Sequence, residues 1–276
     1  MEASSMTSGM TSGMNRITTI ALICTLLALG GCVTETSGVF NVEISNEQAL
    51  KDYIALARGY LDNDDLASAK RHLNNAAALD RNNAEVYSIW GLVYAREGEV
   101  DLADESFRRS LRINSSNSQA RNNYAAFLFS SGRFDDAYDE LAIVVKDTTY
   151  PARPQAFENL GLAALRIGNT TAAETAFTRA VQLNSNQVRS ILELAGISLS
   201  KQNLPQARAY YRNYLTILQF YNQAQNPRSL WIGIQLALAE GNDSDRRLFA
   251  AELEAAHRAS PEYALYQQLV ETLENE

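Results

Sequence analysis

Few side chains in this sequence could take part in covalent or metal chemistry. Its two cysteines, Cys24 and Cys32, lie near the N-terminus, and its two histidines, His72 and His257, are far apart in the sequence. Neither histidine has a second ligand at the spacing of a metal site, and there is no G-x-S-x-G motif, P-loop or G-x-G-x-x-G loop. We therefore expect a protein that is not an enzyme and that uses no metal, cofactor or small-molecule substrate.

An apolar segment precedes the second cysteine. Residues 17–29 are predominantly apolar, follow a basic residue and lead through two glycines to Cys32. As a helix this segment would rise about 20 Å, which is short of the roughly 30 Å hydrocarbon core of a membrane. A basic flank, a short apolar region and small residues are typical of a signal peptide. Residues 1–31 are therefore predicted to be a signal peptide, with translation expected to start at Met10 or Met14.

The run Leu29-Gly30-Gly31-Cys32 resembles the bacterial lipobox, whose cysteine receives a diacylglycerol and, after cleavage, an acyl chain such as palmitate. The resemblance implies that Cys32 is the lipidation site, and several acyl chains suffice for stable anchoring. Val33 stands where an aspartate commonly signals retention in the inner membrane, so the outer membrane is favoured, with the body in the periplasm. The polar residues 32–48 are predicted to be a tether.

From Leu50 onward the sequence repeats with a period of 34 residues. The units begin at Leu50, Ala84, Ser118, Pro154 (after a two-residue insertion) and Val188. Position 20 is always alanine: Ala69, Ala103, Ala137, Ala173 and Ala207. Position 8 is always small: Ala57, Gly91, Ala125, Gly161 and Ala195. Position 24 is bulky: Leu73, Phe107, Leu141, Phe177 and Tyr211. The pattern resembles the tetratricopeptide repeat, a helix-turn-helix unit.

This resemblance implies an all-α fold, a right-handed superhelix of about six tetratricopeptide repeats over residues 49–276. A sixth, looser unit begins near Pro227, and Pro261 opens a final helix over residues 262–274 that is expected to cap the stack. Small residues at positions 8 and 20 let helices cross closely, while the bulky residue at position 24 fills the space between them.

Helix ends can also be assigned from the repeat. Glycine at position 15 is expected to end the first helix of a unit in the left-handed conformation: Gly98, Gly132 and Gly168. The polar residue at position 18 is expected to cap the second helix: Asp101, Asp135 and Thr171.

The concave face of such a superhelix is lined by the first helix of each unit, chiefly at positions 2, 5, 9 and 12. Positions 9 and 12 are mostly apolar here. The candidate partner-binding groove consists of Leu61, Leu92, Asn122, Phe129, Leu162 and Leu165. It would receive a helix or an extended peptide. The alternative is that part of position 12 is buried against the neighbouring unit. Related domains that bind a C-terminal carboxylate use lysine and asparagine where this sequence has Ile54 and Arg58, so carboxylate capture is not expected.

Several runs are more specific than the repeat itself: residues 122–129 (NNYAAFLF), 132–137 (GRFDDA), 156–165 (AFENLGLAAL) and 226–233 (NPRSLWIG). They are similar to the PilW/PilF family of type IV pilus biogenesis lipoproteins, and the likeness covers nearly all of the chain after the signal peptide. The resemblance implies a pilotin, which carries the pilus secretin to the outer membrane and promotes its multimerisation.

A different repeat lipoprotein stays open as the alternative, because a fold does not determine a function. It would be a scaffold for outer-membrane protein insertion or an adaptor for peptidoglycan enzymes. The formal net charge of -8 and the lack of a basic stripe argue against nucleic acid as a partner. The expected partners are therefore the secretin and, through the lipid anchor, the outer membrane.

Overall fold

The computed structural model describes residues 45–274. The predicted signal peptide, Cys32 and most of the predicted tether lie outside these residues and stay predictions. Within the described residues the first helix begins at Asn46, slightly before the predicted domain boundary at residue 49. In this part of the chain no helix is both long and apolar enough to cross a membrane.

Residues 45–274 form thirteen α-helices and no strand. In chain order the helices are α1 (Asn46–Asp62), α2 (Leu66–Leu79), α3 (Ala84–Glu97), α4 (Val100–Ile113), α5 (Ser118–Ser130), α6 (Phe134–Val144), α7 (Arg153–Arg166), α8 (Thr170–Leu183), α9 (Val188–Ser200), α10 (Leu204–Phe220), α11 (Pro227–Ala239), α12 (Asp243–His257) and α13 (Pro261–Glu274). Each odd-numbered helix up to α11 packs most extensively against the helix that follows it. The expected all-α array of about six helix pairs is confirmed.

The helices form two layers. The backbone of each first helix comes close to that of the first helix of the next unit, whereas the backbones of the second helices stay farther apart within residues 45–274. The stack is therefore narrower on the side of the first helices, which makes this the inner, concave side. The last helix, α13, contacts both α11 and α12, as the first helix of a seventh unit would.

Left-handed glycines end the first helices as expected. Gly98, Gly132 and Gly168 have φ angles of 79°, 77° and 79° at the ends of α3, α5 and α7. The prediction that Asp101, Asp135 and Thr171 cap the second helices is wrong. Each of these is the second residue of its helix, because the chain needs only one residue after the glycine before the next helix begins. The two aspartates lie in the first helical turn instead, where negative charge favours the helix dipole.

The close crossing of helices inside a unit depends on paired residue sizes. A Cβ atom added to Gly91 would come within 2.8 Å of the Phe107 ring, and one added to Gly161 within 2.6 Å of the Phe177 ring. Both phenylalanines are fully buried. Glycine at position 8 therefore makes room for the ring at position 24, and this contact sets the separation of the two layers.

Candidate partner-binding surface

The six residues predicted for the groove all lie on first helices, but they differ in exposure. Leu61 on α1 is 4% exposed and belongs to the hydrophobic cluster that joins α1, α2 and α3. The other five are half-buried: Leu92 on α3, Asn122 and Phe129 on α5, and Leu162 and Leu165 on α7. We call these five residues the central strip. The alternative that position 12 is buried against the neighbouring unit therefore holds for Leu61, and Leu61 is not part of the surface.

Phe129 is held in place at the middle of the central strip. Its ring meets Phe134 edge to face, with the centroids 5.1 Å apart. The guanidinium of Arg166 lies 4.0 Å from the centroid of Phe134 and 5.8 Å from that of Phe129. Aromatic and cation–π contacts of this kind each contribute about 0.5–1.5 kcal/mol. These contacts hold the ring of Phe129 in place on the inner side.

Asn122 brings an unsatisfied polar atom to the same surface. Its Oδ1 atom is buried, yet it accepts no hydrogen bond from residues 45–274. Leaving a buried acceptor unpaired costs about 1–3 kcal/mol. Because solvent cannot reach this atom, an N–H or O–H group of a bound partner could remove the cost only after the amide rotates outward. In that rotated conformation Asn122 would help to orient a segment that the apolar side chains hold.

Three carboxylates on the inner side each bridge two adjacent units. Glu158 on α7 is 6% exposed and accepts hydrogen bonds from the backbone N–H and the Oγ of Ser190, at 3.1 and 2.9 Å. Ser190 lies in the first turn of α9, where the helix dipole favours negative charge. The other two carboxylates form ion pairs: Arg58–Glu85 at 2.6 Å and Arg228–Glu193 at 3.1 Å. These carboxylates therefore connect adjacent units.

A separate polar network joins the second and third units. The Tyr124 hydroxyl donates to Asp104 at 2.8 Å, and Arg108 donates to that hydroxyl at 3.2 Å. Arg133 donates to the same aspartate at 2.7 Å. Burial raises the pKa of Tyr124, which keeps its hydroxyl a donor at neutral pH. Because each of these groups has a partner, the network is structural.

His72 packs between aromatic rings. Its ring stacks on Tyr60 with centroids 5.2 Å apart and is tilted against Tyr53 at 5.9 Å. Among residues 45–274 there is no group of three His, Cys, Asp or Glu side chains that could hold a metal ion. The central strip offers half-buried apolar side chains on the inner side, which suit contact with another protein.

The last part of the inner side was not predicted from the sequence. A groove of about 570 Å³ lies on α9, α11 and α13, with Trp231, Leu265 and Leu269 in its lining. We call it the C-terminal groove. Pro261 follows Pro227 by 34 residues, so α13 repeats the register of α11 and places Leu265 at the position of Trp231. This spacing was the signal that could have predicted the groove.

A family model for the tetratricopeptide repeat matches residues 54–118, 90–154, 128–188 and 158–224. The matched residues extend from α1 to the connection after α10. Together with the six helix pairs and the layer of first helices, this defines a tetratricopeptide repeat protein.

More specific relatives come from the type IV pilus system. The type IV pilus assembly protein PilF of Pseudomonas aeruginosa is 32% identical over 254 residues, which cover 91% of this chain and 99% of PilF. A solved structure of that PilF superposes with a TM-score of 0.74 at 32% identity, over 81% of this chain and 98% of its own. The crystal structure of PilW, a widely conserved type IV pilus biogenesis factor, shares the fold with a TM-score of 0.67 at 24% identity, over 80% and 99% of the two chains. The chain belongs to the PilF/PilW family of type IV pilus tetratricopeptide repeat proteins. Its role is therefore in type IV pilus biogenesis, through protein–protein interaction.

Proposed function

We propose that this chain is an outer-membrane lipoprotein that binds the type IV pilus secretin and promotes its outer-membrane localisation and multimerisation. Membership of the PilF/PilW family supports the pilus system. Cys32 is the proposed lipidation site, because it alone follows an apolar segment and two glycines. A lipid there would hold the repeat domain at the membrane in which the secretin ring must form.

The central strip is the observation that carries this proposal. Leu92, Phe129 and Leu162 are half-buried apolar side chains on three successive first helices. Covering them could contribute several kcal/mol before the cost of ordering the partner, at about 25 cal/mol per Å² of apolar surface. Asn122 adds an acceptor that has no donor of its own among residues 45–274. The combination suits a secretin segment that offers apolar side chains and a nearby N–H group.

A pull-down of detergent-solubilised secretin tests the strip. The first variant carries serine at Leu92, Phe129 and Leu162. The matched control carries serine at three half-buried apolar residues of second helices: Leu111, Val181 and Leu215. Each set packs against core clusters and costs stability, so circular dichroism must first show that both variants remain helical. We expect the strip variant to lose secretin capture and the control variant to keep it.

A single substitution gives the same test without a packing cost. Replacing Asn122 by alanine removes a buried acceptor that has no donor within the described helices, so stability should stay equal or rise. Secretin binding should weaken by about tenfold if a partner group donates to this atom. Unchanged affinity would remove Asn122 from the site.

The outcomes separate the candidate functions. Equal secretin capture by wild type and the strip variant excludes this surface. If a folded wild-type chain captures no secretin at all, the proposal fails, and a scaffold for membrane protein insertion or an adaptor for peptidoglycan enzymes becomes the better account.

A further inference from the structure

Helix α10 continues beyond the core that it packs against and leads into two exposed aromatic residues. It has 17 residues, whereas the other second helices have 11 to 15. Leu218 is its last buried residue. Phe220, the last residue of the helix, is 81% exposed, and the following Tyr221 is 52% exposed. We call Phe220 and Tyr221 the aromatic tip, and the core does not need it.

The aromatic tip replaces a polar turn that the other units use at this place. Helices α2, α4 and α8 end at position 30 of the repeat, and each is followed by an aspartate or asparagine. The side chains of Asp80, Asn114 and Asn184 accept a hydrogen bond from the backbone N–H two residues later, at 2.9 to 3.1 Å. Helix α10 instead passes position 30 and ends in two adjacent aromatic rings. Apolar groups in the place of a solvated turn indicate a contact surface.

The aromatic tip has a defined geometry. Asn222 adopts a φ angle of 50°, the left-handed conformation that ends a helix, and the N–H of Gln223 donates to the carbonyl of Leu218 at 2.9 Å. The rings of Phe220 and Tyr221 meet edge to face with their centroids 5.0 Å apart. Because the rings are already ordered, docking them costs little side-chain entropy.

The chain around the aromatic tip is uncharged and is flanked by arginines. Residues 213–227 contain no acidic or basic side chain, and Arg212 and Arg228 stand at the two ends of this segment. Arg212 is exposed and forms no ion pair within residues 45–274. Aromatic rings favour the headgroup level of a membrane, and basic side chains beside them favour anionic lipids. This composition therefore suits a phospholipid surface.

A third arginine lies beside this segment. Arg189 is exposed in the first turn of α9 and lines the same cavity as Gln223, two residues after the aromatic tip. Two acids line that cavity as well. Glu193 is paired with Arg228 at 3.1 Å, and Glu262 lies in the first turn of α13. Arg189 thus remains available to a lipid phosphate.

The aromatic tip lies at the end of the helices where the chain also enters the repeat domain. Because successive helices pack in opposite directions, Asn46 at the start of α1 is on the same side of the array as the ends of the second helices. In the connections on this side and the helical turns that adjoin them, basic side chains slightly outnumber acidic ones. At the opposite ends of the helices, acidic side chains outnumber basic ones. An anionic membrane would therefore attract the side that carries the aromatic tip.

We propose that the aromatic tip docks into the interfacial region of an anionic phospholipid membrane. This inference rests on the membrane anchor proposed at Cys32, but its site is separate from the central strip. The anchor alone leaves the domain free to rotate at the membrane. A second contact through Phe220 and Tyr221 fixes its orientation, with the connections between units facing the lipid and the inner side exposed to a partner in the same membrane.

Tryptophan reporters in the anchored chain test this contact. Phe220→Trp places an emitter at the aromatic tip. Leu248→Trp is the matched control, because Leu248 is 62% exposed in the first half of α12, toward the opposite ends of the helices. Each full-length variant is reconstituted into phosphatidylethanolamine–phosphatidylglycerol vesicles whose acyl chains carry bromine, a contact quencher, near the headgroups. The emission of Trp90 and Trp231 is measured in the wild-type chain and subtracted.

We expect the vesicles to quench the emission of Phe220→Trp and to shift it to shorter wavelength, while Leu248→Trp stays unchanged. Replacing phosphatidylglycerol by phosphatidylcholine should lower the ratio of docked to undocked chains about fivefold or more. Arg189→Gln combined with Arg212→Gln should have an effect of the same size. Both arginines are exposed, so circular dichroism should show an unchanged helical content.

The other outcomes overturn the inference in distinguishable ways. Equal quenching of the two reporters, or quenching of neither while the chain floats with the vesicles, refutes docking by the aromatic tip and leaves the anchor in place. A chain that does not float with the vesicles refutes the anchor, and the inference fails with it. A shift of the Phe220→Trp emission without vesicles, caused by added secretin or by a higher concentration of the chain alone, assigns the aromatic tip to a protein contact and not to lipid.

Discussion

Replacing Gly161 by alanine tests the close helix crossing inside the fourth unit. A Cβ atom at this position of α7 would lie 2.6 to 2.8 Å from three ring atoms of Phe177 on α8. Phe177 is fully buried in a cluster with Leu194 and Ile197, so its ring cannot move without displacing neighbours. Gly59 on α1 is the matched control, because a Cβ atom added there meets nothing within 4 Å.

Both substitutions gain helix propensity, but only Gly161→Ala also incurs a steric cost. Alanine favours a helix over glycine by about 1 kcal/mol at either position. Overpacking a buried contact costs about 1–3 kcal/mol, and only Gly161→Ala incurs it. We expect Gly59→Ala to raise the free energy of unfolding by about 0.5–1 kcal/mol. Gly161→Ala should lower that free energy by up to about 2 kcal/mol. The difference between the two variants isolates the steric cost.

Urea unfolding and thermal melting, both followed by circular dichroism, measure these effects. For a helical body of this size, 1 kcal/mol shifts the Tm by about 2–4 °C. Phe177→Leu should rescue Gly161→Ala, because the third unit combines Ala125 at position 8 with Leu141 at position 24. The double-mutant cycle should show a coupling of about 1 kcal/mol or more. If both alanine variants stabilise the chain equally, the steric account of position 8 is refuted.

Three further predictions concern the repeat register, the anchor and pH. Ala103 and Ala173 are fully buried, so leucine at either position should lower the free energy of unfolding by about 1–3 kcal/mol, and an unchanged Tm in both variants would contradict the register. Cys32→Ser should abolish palmitate labelling and leave a soluble or uncleaved protein. This variant should still bind the secretin but no longer bring it to the outer membrane. Normal processing and outer-membrane fractionation of the variant would count against lipidation. The hydrogen bond from Ser118 is the largest of several that lower the pKa of Asp147 from its ordinary value of 3.8. The ionised Asp147 carboxylate therefore stabilises the fold at neutral pH, and this stabilisation is lost as the pH falls through the lowered pKa. Asp147→Asn should be less stable than wild type at pH 7 and equally stable in strong acid. The free energy of unfolding, measured as a function of pH, checks this prediction.

The architecture could be predicted from the sequence because the same pattern of small and bulky residues recurs in each repeat. A small residue at position 8 and a bulky residue at position 24 recur in all five clear units, and in the second and fourth units the two residues meet inside the unit. Exposure on the inner side was harder to predict. Leu61 and Phe129 both occupy position 12, yet the first is buried and the second is half-buried. Asn122 and Leu192 both occupy position 5, yet only Leu192 is buried. Neighbouring units decide such differences, and a single repeat carries no information about them.

Helix α13 was predicted as a cap, but its part in a groove was not. The connection between α10 and α11 moves the sixth unit from residue 222, expected from Val188 and a 34-residue period, to Pro227. The register is restored between Pro227 and Pro261, so α13 lies beside α11 as another first helix. A helix can therefore close a stack at one face and extend its binding side at another, which a prediction of helix position alone does not reveal.

The chemistry of the inner side also predicts how binding responds to salt. Glu158 and Glu193 are already held by groups of adjacent units, and the C-terminal groove has no ionisable lining residue. Interactions between exposed charges are screened beyond about 8–10 Å at physiological ionic strength, whereas burial of apolar surface is not weakened by added salt. The affinity of the central strip for the secretin should therefore change by less than about threefold when the salt concentration is raised tenfold. Arg189 is exposed in the first turn of α9, so it can be used to test whether charge contributes to binding. A loss of affinity that is steep in salt and disappears in Arg189→Gln would show that charge, and not the apolar strip, selects the partner.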